Sequence, residues 1–142
     1  MTLETVTYLL IAIVSWGLGA IFDKLTLKYL EPVSAFYGRT FVMIIFFGAL
    51  LSTRFSKTLS DLKSAPKIAA VYLSLSVIVT MLGVFSYLKA MSFSEASKIV
   101  PLSSSYPLIT FFIAVFFLGE SFTLTKLVGT FFVITGIYFI SK

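Results

Sequence analysis

Apolar residues in this chain fall into long, nearly uninterrupted runs rather than into alternating or amphipathic stretches. Five runs can be drawn, over about 5–24, 32–53, 68–89, 98–119 and 123–141. The first has no charge before Asp23, the second holds Arg39, and the fifth holds Lys126 near its start. Between Ile68 and Leu88, and again between Ile99 and Gly119, there is no charged residue. A helix of about 20 apolar residues crosses a hydrocarbon layer about 30 Å thick. In lipid every backbone polar group has to be bonded internally, so such runs are expected to be helices. The strands of a membrane barrel would alternate polar and apolar residues, which these runs do not. The pattern predicts an all-α membrane protein, a bundle of five transmembrane helices in a single domain over 1–142.

The connections carry helix punctuation. Glu31-Pro32 separates the first two runs, with Pro32 suited to a first helical turn, where its missing N–H costs nothing. Arg54 to Lys67 reads as a basic loop containing Pro66. Ser94-Glu95 reads as a helix start before the fourth run, and Gly119-Glu120-Ser121 as the turn before the fifth. The first run does not read as a cleaved signal peptide. Its leading residues include Glu4 and no basic side chain, and it leads into Asp23-Lys24-Leu25 rather than a small-residue cleavage site.

Composition agrees with the pattern: 58% of residues are hydrophobic, 17% aromatic and 12% charged. A soluble fold of this make-up would expose large apolar patches. The absence of Cys and His excludes disulfides, Cys/His metal sites and imidazole acid–base chemistry. With no paired carboxylates or activated nucleophile either, the chain is expected not to be an enzyme and to need no metal or cofactor. The net charge of +5 is spread between apolar runs, which reads as membrane-flanking charge and not as a nucleic-acid surface.

With five spans, one face of the membrane receives Arg54, Lys57, Lys63, Lys67 and Lys126, and the other receives Lys24, Lys28, Lys89, Lys98 and Lys142. The usual excess of Lys and Arg on the cytoplasmic face is missing. Two outcomes stay open: an orientation set by the dense Arg54–Lys67 cluster, or insertion both ways.

A few residues stand out chemically. Arg39 lies about two turns into its run, where an Arg is costly and by default a functional candidate. It could grip a substrate carboxylate or phosphate, snorkel to headgroups, or pair with Glu31 or Asp23. Ser76, Thr80, Gly83 and Tyr87 share one helical face, as do Ser103, Tyr106 and Thr110. Such stripes line a polar cavity or pack helix on helix. Tyr87 and Tyr106 are favoured for a ligand, since a phenol both stacks and donates a hydrogen bond. Trp16 lies mid-run, to wall a cavity or fill a core. Pro101 and Pro107 interrupt the fourth run, as a hinge or a static kink. Glu120 reads as a cap of the turn into the fifth run. Gly129 and Gly136 suggest a close-packed face on that run. No Asp or Glu lies in the middle of any run, so proton coupling is unsupported, and Asp23 is the nearest coupling candidate.

An ordered set of motifs completes the reading: Trp16-Gly17, Lys24, Glu31-Pro32, Arg39, Tyr87-x-x-Ala90, Ala96-Ser97-x-x-x-Pro101-Leu102, Pro107-Leu108, Leu118-Gly119-Glu120, Lys126-x-x-Gly129 and Gly136. This set resembles the EamA-type domain of the drug/metabolite transporter superfamily over nearly the whole chain. The resemblance implies one half of a ten-helix transporter, standing alone as in the small five-helix bacterial and archaeal members. It implies a secondary transporter, an exporter or exchanger, of a small metabolite, amino acid or drug in the cytoplasmic membrane. Because the halves of the fused proteins are inverted, it also implies an antiparallel homodimer. The substrate-binding candidates are Arg39, Tyr87, Tyr106, Trp16, Ser103 and Thr80. The alternatives are a flippase, or flippase subunit, for a lipid-linked intermediate, and a non-transporting assembly subunit. In a population held in one orientation, Thr58→Cys and Phe93→Cys should react with a membrane-impermeant maleimide from opposite faces. Reaction of both from the same face would break the span assignment.

Overall fold

The computed structural model describes residues 2–141; Lys142, counted above among the flanking charges, lies outside the described residues. All regular structure among the described residues is helical: α1 (Leu3–Thr26), α2 (Pro32–Ser52), α3 (Phe55–Ser64), α4 (Lys67–Phe93), α5 (Ala96–Ser103), α6 (Tyr106–Phe117) and α7 (Leu124–Ser141). By length and hydropathy four stretches can cross a membrane, Leu3–Thr26, Pro32–Ser52, Lys67–Phe93 and Ala96–Phe117, and Leu124–Ile140 is a shorter apolar helix. Four of the five expected spans therefore meet the full length, and the fifth run forms a helix below it.

The helix ends follow from local chemistry. Pro32 opens α2 behind Glu31, which caps with extended backbone. Glu95 precedes α5 in the same conformation. Gly119, with φ +68°, ends α6: the left-handed backbone turns the Glu120 N–H back onto the Ala114 carbonyl at 3.1 Å. Lys126 steadies the start of α7, donating from Nζ to the Ser121 carbonyl at 3.0 Å and lying 3.8 Å from the Glu120 carboxylate. The side chain that caps α7 is Thr123, whose Oγ1 accepts from the Lys126 N–H at 3.3 Å, whereas among the described residues the Glu120 carboxylate meets only the Lys126 ammonium.

Two features depart from the sequence expectation. The basic loop is not a loop, because most of it folds into α3. The fourth span is not one bent helix: it stops at Ser103 and restarts at Tyr106. Pro101 and Pro107 have no N–H to give the Ser97 and Ser103 carbonyls four residues back. The serines between them turn their hydroxyls onto other carbonyls of the same stretch, which also accept the backbone N–H groups of Ser104 and Ser105. Ser103 and Ser104 Oγ both donate to the Val100 carbonyl at 2.8 Å, and Ser105 Oγ donates to that of Leu102 at 2.6 Å.

The chain divides into two compact units. One is Phe22–Ser92; the other joins the stretch before it to the stretch after it. In the first, the end of α1, the start of α2 and the end of α4 come together around Ala35, Leu88 and Met91, all buried. Phe36 of α2 meets Phe85 of α4 edge to face, ring centres 5.4 Å apart. Residues 71–80 of α4 are exposed throughout, so the packing lies at one end of the helix. In the second unit α5 packs on α7, and Phe111 meets Phe122 at 6.1 Å. A Cβ at Gly129 or Gly136 would meet nothing within 4 Å, so the expected close-packed face on α7 is not made among the described residues.

The large apolar side chains of α1, α2, α4, α6 and α7 are mostly exposed. The chain is a membrane protein whose helices present apolar surface to lipid. Gly119→Ala should lower stability by about 1 kcal/mol, because an L side chain is disfavoured at positive φ. Thermal unfolding in detergent should register the loss, and an unchanged midpoint would deny the strain.

Candidate functional site

The charged groups of the Phe22–Ser92 unit gather at the packed end of its helices. Asp23 and Lys24 lie in the last turn of α1, and Arg39 lies in the second turn of α2. The connection 27–31 is short enough to bring these turns side by side. Arg39 Nη1 donates to both Oδ1 and Oδ2 of Asp23 at 2.8 Å. The Arg39 side chain keeps 42% of its surface exposed and Asp23 keeps 19%. Of the alternatives for Arg39, pairing with Asp23 is the one the fold makes; Glu31 instead accepts from Ser34 Oγ at 3.3 Å.

The geometry of the pair matters chemically. One guanidinium nitrogen serves both carboxylate oxygens, whereas a forked pair would use two. Nη2 and Nε of Arg39 make no hydrogen bond within the described residues. An exposed guanidinium with donors unspent is suited to a second anion.

Lys24 closes the cluster on another side. Its Nζ donates to the Met91 carbonyl at 2.8 Å. That carbonyl lies in the last turn of α4, where the helix offers no backbone partner and the macrodipole favours a cation. Tyr87, one turn earlier on α4 and half-buried, is close enough to Asp23 and Arg39 to feel the charge of both. Three helices thus meet through polar contacts, α1 with α2 through Asp23–Arg39 and α1 with α4 through Lys24–Met91.

The remaining candidates fall as follows. Thr80 is exposed on α4, on the same face as Tyr87 and about 10 Å along the helix from it. Trp16 is exposed on α1, so it does not fill a core. Ser103 returns its hydroxyl to its own helix, as given above. Tyr106 is exposed at the first position of α6, next to the Ser104–Ser105 break, with Pro107 following it. Trp16, Ser103, Tyr106, Pro101 and Pro107 belong to the second unit, whereas Arg39, Asp23, Tyr87 and Thr80 belong to the first. Within the described residues no group of three or more acidic, His or Cys side chains could hold a metal ion.

Sequence reasoning missed the Lys24–Met91 contact, reading Lys24 as a flanking charge. The signal was its neighbour: a Lys directly after the counter-ion of an intramembrane Arg has to turn to a different partner.

Set against known proteins, the profile of the EamA-like transporter family matches residues 3–142. No curated protein and no solved structure matches the chain.

The ion pair predicts a sign for its mutants. Asp23→Ala strands Arg39 in a membrane helix and should lower stability by roughly 2–3 kcal/mol. The double variant Asp23→Asn with Arg39→Gln should recover most of that loss in detergent unfolding. Additive losses would show that the two side chains do not depend on each other.

Proposed function

The chain belongs to the EamA-like transporter family, and from that premise we propose that it is a secondary transporter of a small organic anion, working by exchange or export across the cytoplasmic membrane. The observation that carries this reading is the half-used guanidinium of Arg39. A substrate carboxylate or phosphate would take Nη2 and Nε as a fork and compete with Asp23 for the rest. Asp23 then acts as a displaceable counter-ion, holding Arg39 neutralised when substrate is absent. Tyr87 supplies a phenol beside the same charges, and Tyr106, next to a broken helix of the other unit, is a candidate ligand contact in its own right. Discontinuous helices at substrate sites are a recurring device of secondary transporters.

The working form is an antiparallel homodimer. A lone five-span half reproduces the inverted halves of a fused transporter only by pairing with an oppositely inserted copy. The near-equal basic charge of the two faces permits that insertion. The open Gly129–Gly136 side of α7 offers a surface that a second helix could approach closely.

A second reading has an observation of its own. Arg39 lies only about 10 Å into α2 from the α1–α2 connection, near headgroup depth, so the same donors could hold the phosphate of a lipid-linked intermediate.

Binding screens with carboxylates, phosphates and lipid-linked phosphates on purified protein, followed by vesicle flux, test the reading. Arg39→Ala and Arg39→Lys should each weaken the binding found by roughly tenfold or more, since a Lys lacks the planar fork. Tyr87→Phe and Tyr106→Phe should impair binding or flux while the protein still inserts. A C-terminal reporter should be read on both faces of the membrane. Unaltered transport by all four variants would remove the site, and a reporter confined to one face would remove the homodimer.

A further inference from the structure

Helix α3 has no place in the site described above. It is 10 residues long and sits between two spanning helices, two residues after α2 and two before α4. Two residues reach at most about 7 Å, so α3 stays close to the membrane face where α2 ends and α4 begins. This is the face opposite the Asp23–Arg39 cluster, because Arg39 lies near the other end of α2.

Its sequence is amphipathic. Phe55, Leu59 and Leu62, at spacings of four and three, fall on one stripe, while Ser56, Lys57, Ser60, Asp61 and Ser64 lie away from it. All three stripe residues are exposed, at 54%, 39% and 48%. Arg54, Lys57, Lys63 and Lys67 lie on the helix or flank it, against the single acid Asp61. None of the four basic residues is in an ion pair among the described residues. Lys63 also borders a shallow groove lined by Phe55, Ser56, Leu59 and Ser60, which puts an ammonium at the edge of the apolar stripe.

We propose that α3 lies in the plane of the membrane as an interfacial helix that binds anionic lipid. Phe55, Leu59 and Leu62 enter the boundary between headgroups and acyl chains, and Arg54, Lys57, Lys63 and Lys67 engage the headgroup phosphates. The choice of lipid over a protein partner rests on two things: chain connection holds the helix at the bilayer surface, and its unpaired charges complement anionic headgroups. The proposal depends only on α2 and α4 spanning the membrane, not on any substrate.

The test uses the full chain in phosphatidylcholine vesicles with or without phosphatidylglycerol. The Cys-free sequence permits an environment-sensitive fluorophore at Leu59→Cys, at Ser64→Cys on the opposite side of α3, and at Ile45→Cys in α2 as a membrane control. With phosphatidylglycerol present, the Leu59 label should be quenched by lipid-borne doxyl groups and shielded from iodide, and the Ser64 label should show the reverse. Removing phosphatidylglycerol, or adding Lys57→Gln and Lys63→Gln, should shift the Leu59 label toward iodide, by about fivefold in the immersed-to-exposed ratio for each lysine lost. Equal iodide access at Leu59 and Ser64 would overturn the proposal, as would immersion indifferent to phosphatidylglycerol. Shielding that follows protein-to-lipid ratio and not lipid charge would assign the stripe to a second copy, and also overturn it. An Ile45 label open to iodide would show that α2 does not span, and would remove the premise itself.

Discussion

A guanidinium in a membrane helix has to be neutralised, and the Asp23–Arg39 pair is how this chain meets that demand. In a low-dielectric surround, attraction between the two is far stronger than in water, while either one alone is a heavy cost. The constraint reaches beyond two side chains. It fixes the rotation of α1 against α2, because the last turn of one has to face the second turn of the other. It also determines what Lys24 can do. With Asp23 engaged, Lys24 turns to the Met91 carbonyl, and that contact draws in the end of α4. The apolar packing of Ala35, Leu88 and Met91 lies at this same end. Without a hydrophobic force to gather helices in lipid, polar contacts and close packing have to do the gathering. Here both are concentrated where the charges lie.

How much of this was legible in the sequence depended on which force fixed each feature. The spans were legible because lipid imposes length and polarity directly on a run of residues, and Pro32 and Gly119 marked helix boundaries through backbone constraints that need no tertiary context. Helix α3 was hidden behind its charge. Four basic residues in a short stretch read as a solvated loop, and the stripe of Phe55, Leu59 and Leu62 is just two turns long, too brief to stand out between long apolar runs. The site was legible only in part. An Arg within a span announces itself, and Asp23 was among its possible partners, but single-nitrogen pairing is a matter of side-chain geometry that no spacing encodes. The Lys24 contact was not legible because its partner is a backbone carbonyl, which leaves no trace in the identity of Met91.

The break in the fourth span shows how sequence and lipid reach a compromise. Two prolines six residues apart would leave backbone carbonyls unmet in a medium without water. The three serines between them donate to the Val100 and Leu102 carbonyls, so their own hydroxyls are satisfied within the span, while the Ser97 and Ser103 carbonyls lose the proline partners. The hydroxyl run that reads as a cavity lining is therefore already engaged with its own stretch of chain. Any ligand that draws on Ser103 has to compete with the Val100 carbonyl. Tyr106 carries no such duty through its phenol, since the contact it makes with Thr110 uses its backbone carbonyl.

The placement of these contacts also bears on the proposed homodimer. The Phe22–Ser92 unit is tied at one end, while residues 71–80 of α4 are covered by nothing in the unit. Helices tied at one end can splay at the other, which is the mechanical freedom that alternating access requires, but a splayed half encloses no substrate. On the proposed antiparallel homodimer the deficit closes by symmetry. Inverting the partner puts its tied end at the level of the first copy's untied end, so each face of the membrane has one anchored triad and one free set of helix ends. Exchanging which copy is splayed converts one access state into the other, and because the copies are identical the two states have equal energy in a symmetric bilayer. Anionic lipid confined to one leaflet would break that equality, since α3 of the two copies would then lie on unlike surfaces. The charge carried by α3 and the near-neutral bias of the whole chain are thus opposed requirements, and the balance between them determines how evenly the proposed pair can alternate.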